Sequence, residues 1–243
     1  MSDRQPFTDP DSIASMESEH LPLWRGFIRL FAHLLVPGVR VMDFGCSRGG
    51  LLVLICRHGA QVSGSGVPLL GVGIDVDEPA MRNRLAEAAQ AARGKHPLVF
   101  TTSAPGAFPG QFDLVVSHEV VYLLPNPAEV FAGIHASLAP GGHFCFTTGC
   151  HLENPLWPLW KTSFATLGIT EFERGIADYE AALRSAGFGA ITRDRLLLPK
   201  AEYDAWVRSR GSIEPNPEWF PSASAEEEYY TRTGKMVLTA RKG

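Results

Sequence analysis

Several features that would point to particular protein classes are scarce in these 243 residues. There are four cysteines and no Cys-x-x-Cys spacing, so we expect Cys46, Cys56, Cys145 and Cys150 to be reduced, packed thiols of a cytoplasmic protein. Hydrophobic runs have the length of strands and fall short of the ~18 residues of a membrane span. The first ten residues are polar and mildly acidic, which does not resemble a signal peptide.

Positive charge and metal-ligand patterns are also lacking. The net charge of −4 argues against nucleic acid as a partner. No His-x-x-x-His pattern and no acidic pair at ligand spacing occur, so we expect no metal. Since 45% of the residues are hydrophobic, a chain of this length can bury one large core. We expect a single domain, as a monomer or a homodimer, whose partner is a small molecule.

The segment 41–50 reads Val-Met-Asp-Phe-Gly-Cys-Ser-Arg-Gly-Gly. It predicts a buried strand, an acid near its end, a glycine-rich turn and then a helix. In an open α/β sheet, such a turn binds a nucleotide-like cofactor at the helix N-terminus. The glycines do not have the Gly-x-Gly-x-x-Gly spacing of a dinucleotide site, and Asp43 would repel a pyrophosphate. Asp43 suits a cofactor with an ammonium and a sulfonium group.

The string resembles motif I of class I S-adenosylmethionine-dependent methyltransferases, (Asp/Glu)-x-Gly-x-Gly-x-Gly, with Ser47 in place of a glycine. A second strand ends at Asp75, residues 112–118 resemble motif IV, and residues 138–142 form the family's Leu-x-Pro-Gly-Gly element. The resemblance covers residues 36–149. It implies a doubly wound α/β fold with a mostly parallel, Rossmann-like seven-stranded sheet whose last strand is antiparallel. It also implies S-adenosyl-L-methionine as donor and S-adenosyl-L-homocysteine as product.

The resemblance implies a donor site at the carboxyl ends of the strands. Asp43 would face the ammonium group, and Asp75 would accept hydrogen bonds from both ribose hydroxyls. Ser103 and Ala104 stand where the family often has an acid beside the adenine. The expected cofactor-binding residues are Asp43, Gly45, Cys46, Ser47, Gly49, Asp75, Val76, Ser103, Ala104, Ser117 and His118.

One methyltransferase domain would contain all 243 residues. Its expected parts are an N-terminal helical cap (1–38), the cofactor-binding core (39–149), two acceptor-lid segments (150–175 and 199–233), and the closing helix and strands (176–198 and 234–243). The lid segments follow strands five and six, so they should lie over the methyl group at the carboxyl edge. Glycines within 58–68 predict a loop there.

The two lid segments contain four of the five tryptophans. Such rings would suit a flat, apolar acceptor, although they could instead form a small core of the lid itself. The predicted pocket residues are Trp157, Trp160, Trp206, Trp219, Tyr229 and Tyr230. Methyl transfer needs a base only when the acceptor must lose a proton. His118, His151 and Tyr122 are the catalytic candidates.

The sequence therefore favours a metal-independent methyltransferase of secondary metabolism, acting on nitrogen or oxygen of a small aromatic or heterocyclic molecule. One alternative is a protein or RNA methyltransferase. The lack of a basic face argues against RNA as its substrate. Another is a non-catalytic, cofactor-binding partner subunit of the same fold, against which Asp43 and Asp75 argue. A dehydrogenase is the third alternative.

Overall fold

A computed structural model of the chain describes residues 10–63, 70–76, 79–92, 97–210 and 215–243. Its seven strands form one sheet in the order β3-β2-β1-β4-β5-β7-β6. Strands β1 to β5 are parallel to one another, and β7 lies antiparallel between β5 and β6. This topology confirms the predicted fold class. The strands are β1 (Arg40–Phe44), β2 (Leu70–Ile74), β3 (Leu98–Thr101), β4 (Phe112–His118), β5 (Leu138–Thr148), β6 (Phe188–Leu196) and β7 (Lys235–Lys242).

Helices cover both faces of the sheet. They are α1 (Pro10–Phe31), α2 (Gly50–Ser63), α3 (Pro79–Ala92), α4 (Pro127–Ser137), α5 (Trp157–Leu167), α6 (Ile176–Ser185), α7 (Lys200–Ser209) and α8 (Ala223–Glu228). Val41 packs with residues of α1 and α2 on one face, whereas Met42 packs with α4 and α6 on the other. This two-sided burial explains why β1 is apolar at successive positions. None of the described helices has both the length and the apolar character that crossing a membrane requires.

The end of α2 differs from the prediction. Residues 58–63 are helical rather than a loop. The rest of the predicted loop, 64–68, lies outside the described residues. Leu52, Ile55 and Cys56 are buried and tie the helix to the core. An interior glycine such as Gly59 costs only about 1 kcal/mol relative to alanine, which this packing outweighs.

Helix α1 brings the N-terminal part of the chain to the carboxyl edge of the sheet. Phe27 and Phe31 are buried in the same core cluster as β1 and α2. One and two turns earlier, Trp24 and His20 approach the end of β4, where the His20 ring centroid lies 5.5 Å from that of His118. The N-terminal helix is thus a wall of the region in which a ligand is expected.

Candidate active site at the carboxyl edge of the sheet

A cavity of about 840 Å³ lies at the carboxyl ends of β1, β2 and β4. Ligands of open α/β sheets bind at this edge, and small-molecule sites have volumes of about 300–1,000 Å³. The turns after β1, β2 and β4 form its floor, and residues 102–106 line one side. Helix α1 and residues 168–172, between α5 and α6, supply further walls.

The turn after β1 has the backbone shape that the glycine-rich motif predicts. Gly45 and Gly49 have φ values of 80° and 76°, and a Cβ on Gly45 would lie 2.3 Å from the side chain of Val120. Ser47 has φ of 48°, a left-handed conformation that favours glycine. The serine therefore keeps the turn at a conformational cost of roughly 1–2 kcal/mol.

Asp75 connects the ends of β1 and β2. Its Oδ2 accepts a hydrogen bond of 2.7 Å from the backbone N–H of Ser47, and its Oδ1 accepts one of 2.8 Å from that of Val76. These two bonds orient the carboxylate at the cavity wall, which Asp75 lines. The turn and the acid at the end of β2 therefore form one unit.

Asp43 also lines the cavity, yet its side chain is almost fully buried. Its Oδ2 has no hydrogen-bond partner among the described residues. Burial, and secondly the charge of Asp75, raise the pKa of Asp43 to about 8. A buried carboxyl without a partner is costly unless a ligand pairs with it. The site is thus suited to a cationic group.

His118 and Glu119 stand where β4 ends. His118 Nδ1 lies 2.8 Å from Thr147 Oγ1, while its Nε2 is buried without a partner among the described residues. Burial, and secondly the positive charge of Lys235, lower the pKa of His118 well below its usual value, so the ring is neutral. Glu119 has φ of 58° and pairs with Lys235 Nζ at 3.1 Å.

The other two catalytic candidates have different surroundings. Tyr122 lines the cavity and stacks on Phe164, and burial raises the pKa of its phenol far above the usual value. It therefore stays protonated at neutral pH. His151 Nδ1 lies 3.1 Å from Glu153 Oε2, and His151 is not among the described residues that line the cavity. The structure thus brings His118 and Tyr122 to the cavity but not His151.

Most of the predicted cofactor-binding residues line this one cavity. They are Asp43, Gly45, Cys46, Ser47, Asp75, Val76, Ser103, Ala104 and His118. Within the described part of the chain, Gly49 and Ser117 are not in its lining. Gly49 faces the ring of Phe100, and Ser117 Oγ donates a 2.8 Å hydrogen bond to the carbonyl of Phe44, which joins β4 to β1. Both support the turn from behind.

The structure places the predicted acceptor-pocket rings away from this cavity. None of the six rings proposed for that pocket lies among the described cavity-lining residues. Trp160 packs against Tyr229 at 5.1 Å between ring centroids, and its Nε1 donates a 2.6 Å hydrogen bond to the carbonyl of Trp219. Trp157 joins the same cluster, whereas Trp206 packs against Tyr230 beside α1. Most of these rings thus pack into a small core of the lid itself, which was the alternative interpretation, whereas Trp206 packs into the main core.

The actual cover comes partly from residues that the sequence interpretation missed. His20 and Trp24 of α1 line the cavity, as do Ile169 and Phe172 from the first lid segment. The backbone N–H of Phe172 donates a 2.9 Å hydrogen bond to the carbonyl of Tyr122, which holds that segment in place. In α1 the signal was the helical spacing of His20 and Trp24 with the apolar residues Phe27 and Phe31, which places all four on one face of the helix.

A family model described as a methyltransferase domain matches residues 16–191, which is more than half of the chain. The chain belongs to this methyltransferase-domain family. The matched range contains every described cavity-lining residue, including those of α1.

Curated relatives are enzymes named ubiquinone biosynthesis O-methyltransferase. The protein from Pseudomonas aeruginosa is 28% identical over 160 residues, or 65% of this chain and 64% of its own length. The protein from Ralstonia nicotianae is 29% identical over 192 residues, or 79% and 75%. The match thus spans a little less than two thirds of the Pseudomonas relative.

Solved structures of methyltransferases share the fold. A chain from the complex between a methyltransferase activator and a methyltransferase of Haloferax volcanii has a TM-score of 0.68 and 21% identity, with 99% of each chain covered. Geranyl diphosphate C-methyltransferase from Streptomyces coelicolor has a TM-score of 0.63 and 18% identity, with 99% of this chain and 88% of that one covered. These likenesses concern the architecture.

Proposed function

We propose that the protein is an S-adenosylmethionine-dependent methyltransferase that methylates oxygen or nitrogen of a flat, apolar small molecule without an anionic group. The observation that carries the proposal is the buried carboxyl of Asp43, whose Oδ2 lacks a partner among the described residues, beside Asp75 in the wall of one cavity at the carboxyl edge. The family and the named function of the relatives support the same reaction class.

The residues present fit the methyl donor. Asp43 Oδ2, which lacks a partner among the described residues, would pair with the ammonium group of the donor. A Cβ at Gly45 would clash with the side chain of Val120, so glycine lets the turn pack closely against the end of β4 at the wall of the cavity. Asp75 would hold the ribose, and Val76, Ser103 and Ala104 would border the adenine. When bound, the donor supplies a methyl group on a positively charged sulfur.

The charges around the cavity restrict the acceptor. Its lining contains the carboxyl groups of Asp43, Asp75, Glu119 and Glu129, and no lysine or arginine among the described residues. His20 is neutral, because burial and, to a lesser extent, His118 and Lys235 lower its pKa to about 3. A phosphate or carboxylate would find no lysine or arginine among these lining residues to pair with, and the carboxyl groups of Asp75 and Glu129 would disfavour it. We therefore propose an acceptor without an anionic group.

The shape and polarity of the remaining wall support an apolar acceptor. Trp24, Tyr122, Ile169 and Phe172 supply large apolar surfaces around the end of β4. Flat rings bind well between such side chains. Transfer requires that the acceptor atom and the methyl carbon be aligned and that water be excluded, which these walls would achieve.

The test is to incubate the protein with S-adenosylmethionine that carries an isotope-labelled methyl group and with an extract of the producing cells. The products are separated into macromolecules, anionic small molecules and other small molecules. We expect label in the last fraction, and mass spectrometry then identifies the product. Label in protein or RNA would contradict a small-molecule acceptor, and label in the anionic fraction would contradict the charge argument. An Asp75→Ala variant, expected to bind the donor poorly, is the control.

A further inference from the structure

Four side chains at the ends of β4, β5 and β7 form a connected polar network next to the cavity. Thr147 Oγ1 lies 2.8 Å from His118 Nδ1 and 3.2 Å from Glu119 Oε1. Glu119 also accepts hydrogen bonds of 3.0 and 3.1 Å from the backbone N–H of Gly149 and pairs with Lys235 at 3.1 Å. Thr147 is fully buried, and Lys235 is nearly so.

The direction of these hydrogen bonds follows from the number of protons available. A carboxylate paired with an ammonium group can only accept hydrogen bonds, and a threonine hydroxyl has one proton. If Thr147 gave that proton to His118, lone pairs of Thr147 and Glu119 would face each other at 3.2 Å. Thr147 therefore donates to Glu119, and His118 Nδ1–H donates to Thr147. This leaves Nε2 of a neutral imidazole as an acceptor.

The backbone gives a second, independent observation. Glu119 is one of two described non-glycine residues with a positive φ, the other being Ser47 in the turn after β1. Such conformations cost about 1–3 kcal/mol and persist where surrounding contacts hold them. Here the bonds from Gly149 and Thr147 and the pair with Lys235 hold the glutamate in place. At Glu119 this conformation directs the carboxylate to Thr147, the residue that contacts His118.

We propose that Glu119 and Thr147, with Lys235 behind them, are positioning residues that fix His118 as the Nδ1–H tautomer, so that its Nε2 takes the acceptor's proton. This inference rests on the proposed function and deepens it. In the reaction, the acceptor oxygen or nitrogen bonds to the methyl carbon, and the carbon–sulfur electron pair stays on the departing sulfur. The acceptor's proton passes to Nε2, and its former bonding pair remains on the acceptor atom. Positive charge thus moves from the sulfur to the imidazole ring, whose Nδ1–H remains bonded to Thr147.

Nε2 of His118 is buried, and three rings of α1 lie around the imidazole. His20, Phe27 and Trp24 have ring centroids 5.5, 5.9 and 6.5 Å from that of His118. His20 and Trp24 also line the cavity, so an acceptor that reaches Nε2 takes the place of one of these rings. Among the described residues, the charged and titratable groups that face His118 are His20 from α1, Glu119 and Lys235.

The tautomer can be read directly, without any acceptor or donor. The experiment is ¹⁵N NMR of the protein with labelled histidine, in which the His118 ring is assigned by correlation to its own backbone. We expect a protonated Nδ1 and an unprotonated Nε2 at neutral pH. A protonated Nε2 would overturn the proposal.

Thr147 offers a matched pair of variants. Thr147→Val has the same shape without the hydroxyl, and Thr147→Ser keeps the hydroxyl. We expect Thr147→Val to lose the tautomer preference and to reduce kcat by at least ~10-fold, out of the ~10²–10⁴-fold that a general base contributes. Thr147→Ser should retain the wild-type tautomer and most of the activity. Equal kcat in the two variants would contradict the positioning role, and if Thr147→Val does not fold, the wild-type spectrum decides.

Binding of S-adenosylhomocysteine separates this inference from the proposed function. Calorimetry should show binding by the wild type, Thr147→Ser and Thr147→Val, because Asp43 and Asp75, which would hold the donor, are unchanged in all three. If the wild type shows no binding and no methyl transfer, the proposed function fails, whatever the tautomer. If it binds and transfers methyl groups but has a protonated Nε2, only the role of the network fails.

Discussion

Replacing Asp43 by asparagine should change the pH dependence of stability in a specific way. The asparagine keeps the size of the side chain but has no proton to lose. In the wild type the pKa of Asp43 is raised from 3.8 to about 8 by burial and by Asp75. Between these two values the unfolded chain has lost a proton that the folded chain still holds. Stability of the wild type therefore falls as pH rises through this window, whereas Asp43→Asn lacks this contribution.

The size of the effect follows from the pKa. Each pH unit within the window is worth 1.36 kcal/mol. From pH 5 to pH 8, the free energy of unfolding of Asp43→Asn should gain about 4 kcal/mol relative to the wild type. Urea denaturation at several pH values measures this difference, because other titrating groups are common to both proteins. Asp194→Asn, at an exposed position of β6, is the matched control and should follow the wild type.

Binding of S-adenosylhomocysteine should become stronger as pH rises, whereas the stability of the free protein becomes weaker. An ammonium group favours the charged form of Asp43, so binding of S-adenosylhomocysteine below pH 8 should release a proton, and affinity should rise about tenfold per pH unit. Asp43→Asn should bind weakly and lose this slope. If the stabilities of wild type and variant run parallel from pH 5 to pH 8, the account of Asp43 as a buried, ligand-ready carboxyl is refuted.

Three further predictions concern the cavity and its surroundings. Asp75→Ala should weaken binding of S-adenosylhomocysteine by about 1–3 kcal/mol, through loss of charge-assisted hydrogen bonds, and unchanged affinity in calorimetry would contradict the ribose role. Ser47→Gly should be about as stable as the wild type, whereas the β-branched Ser47→Val should lose more than ~1 kcal/mol in thermal unfolding; the reverse order would contradict the left-handed turn. Trp160→Ala should lose about 3–5 kcal/mol of stability but keep its affinity for S-adenosylhomocysteine. Weakened binding by the folded variant would show that Trp160 belongs to the binding site.

The sheet and the donor edge could be predicted because local sequence determines them. A strand covered on both faces must be apolar throughout, and a turn with positive φ values needs glycines such as Gly45. The acids at the ends of β1 and β2 then meet at one edge, because parallel strands share a carboxyl edge. The same reasoning placed His118 beside that edge.

The acceptor side could not be predicted in this way, because it depends on how distant segments pack. Apolar rings suit a ligand pocket and a protein core equally well, and Trp160 found its partners within the lid. His20 reached the site through the packing of α1, although its position on the helical stripe was visible in the sequence. The pairing of Glu119 with Lys235 joins residues far apart in the chain, which no local pattern reveals.

The measurement that tests the central claim most directly is a calorimetric titration of the wild type with S-adenosylhomocysteine and, in parallel, with NAD. The account predicts that S-adenosylhomocysteine binds at one site per chain, with proton release below pH 8, and that NAD does not bind. Binding of NAD without S-adenosylhomocysteine, or of neither, would contradict the assignment of the cavity to a methyl donor.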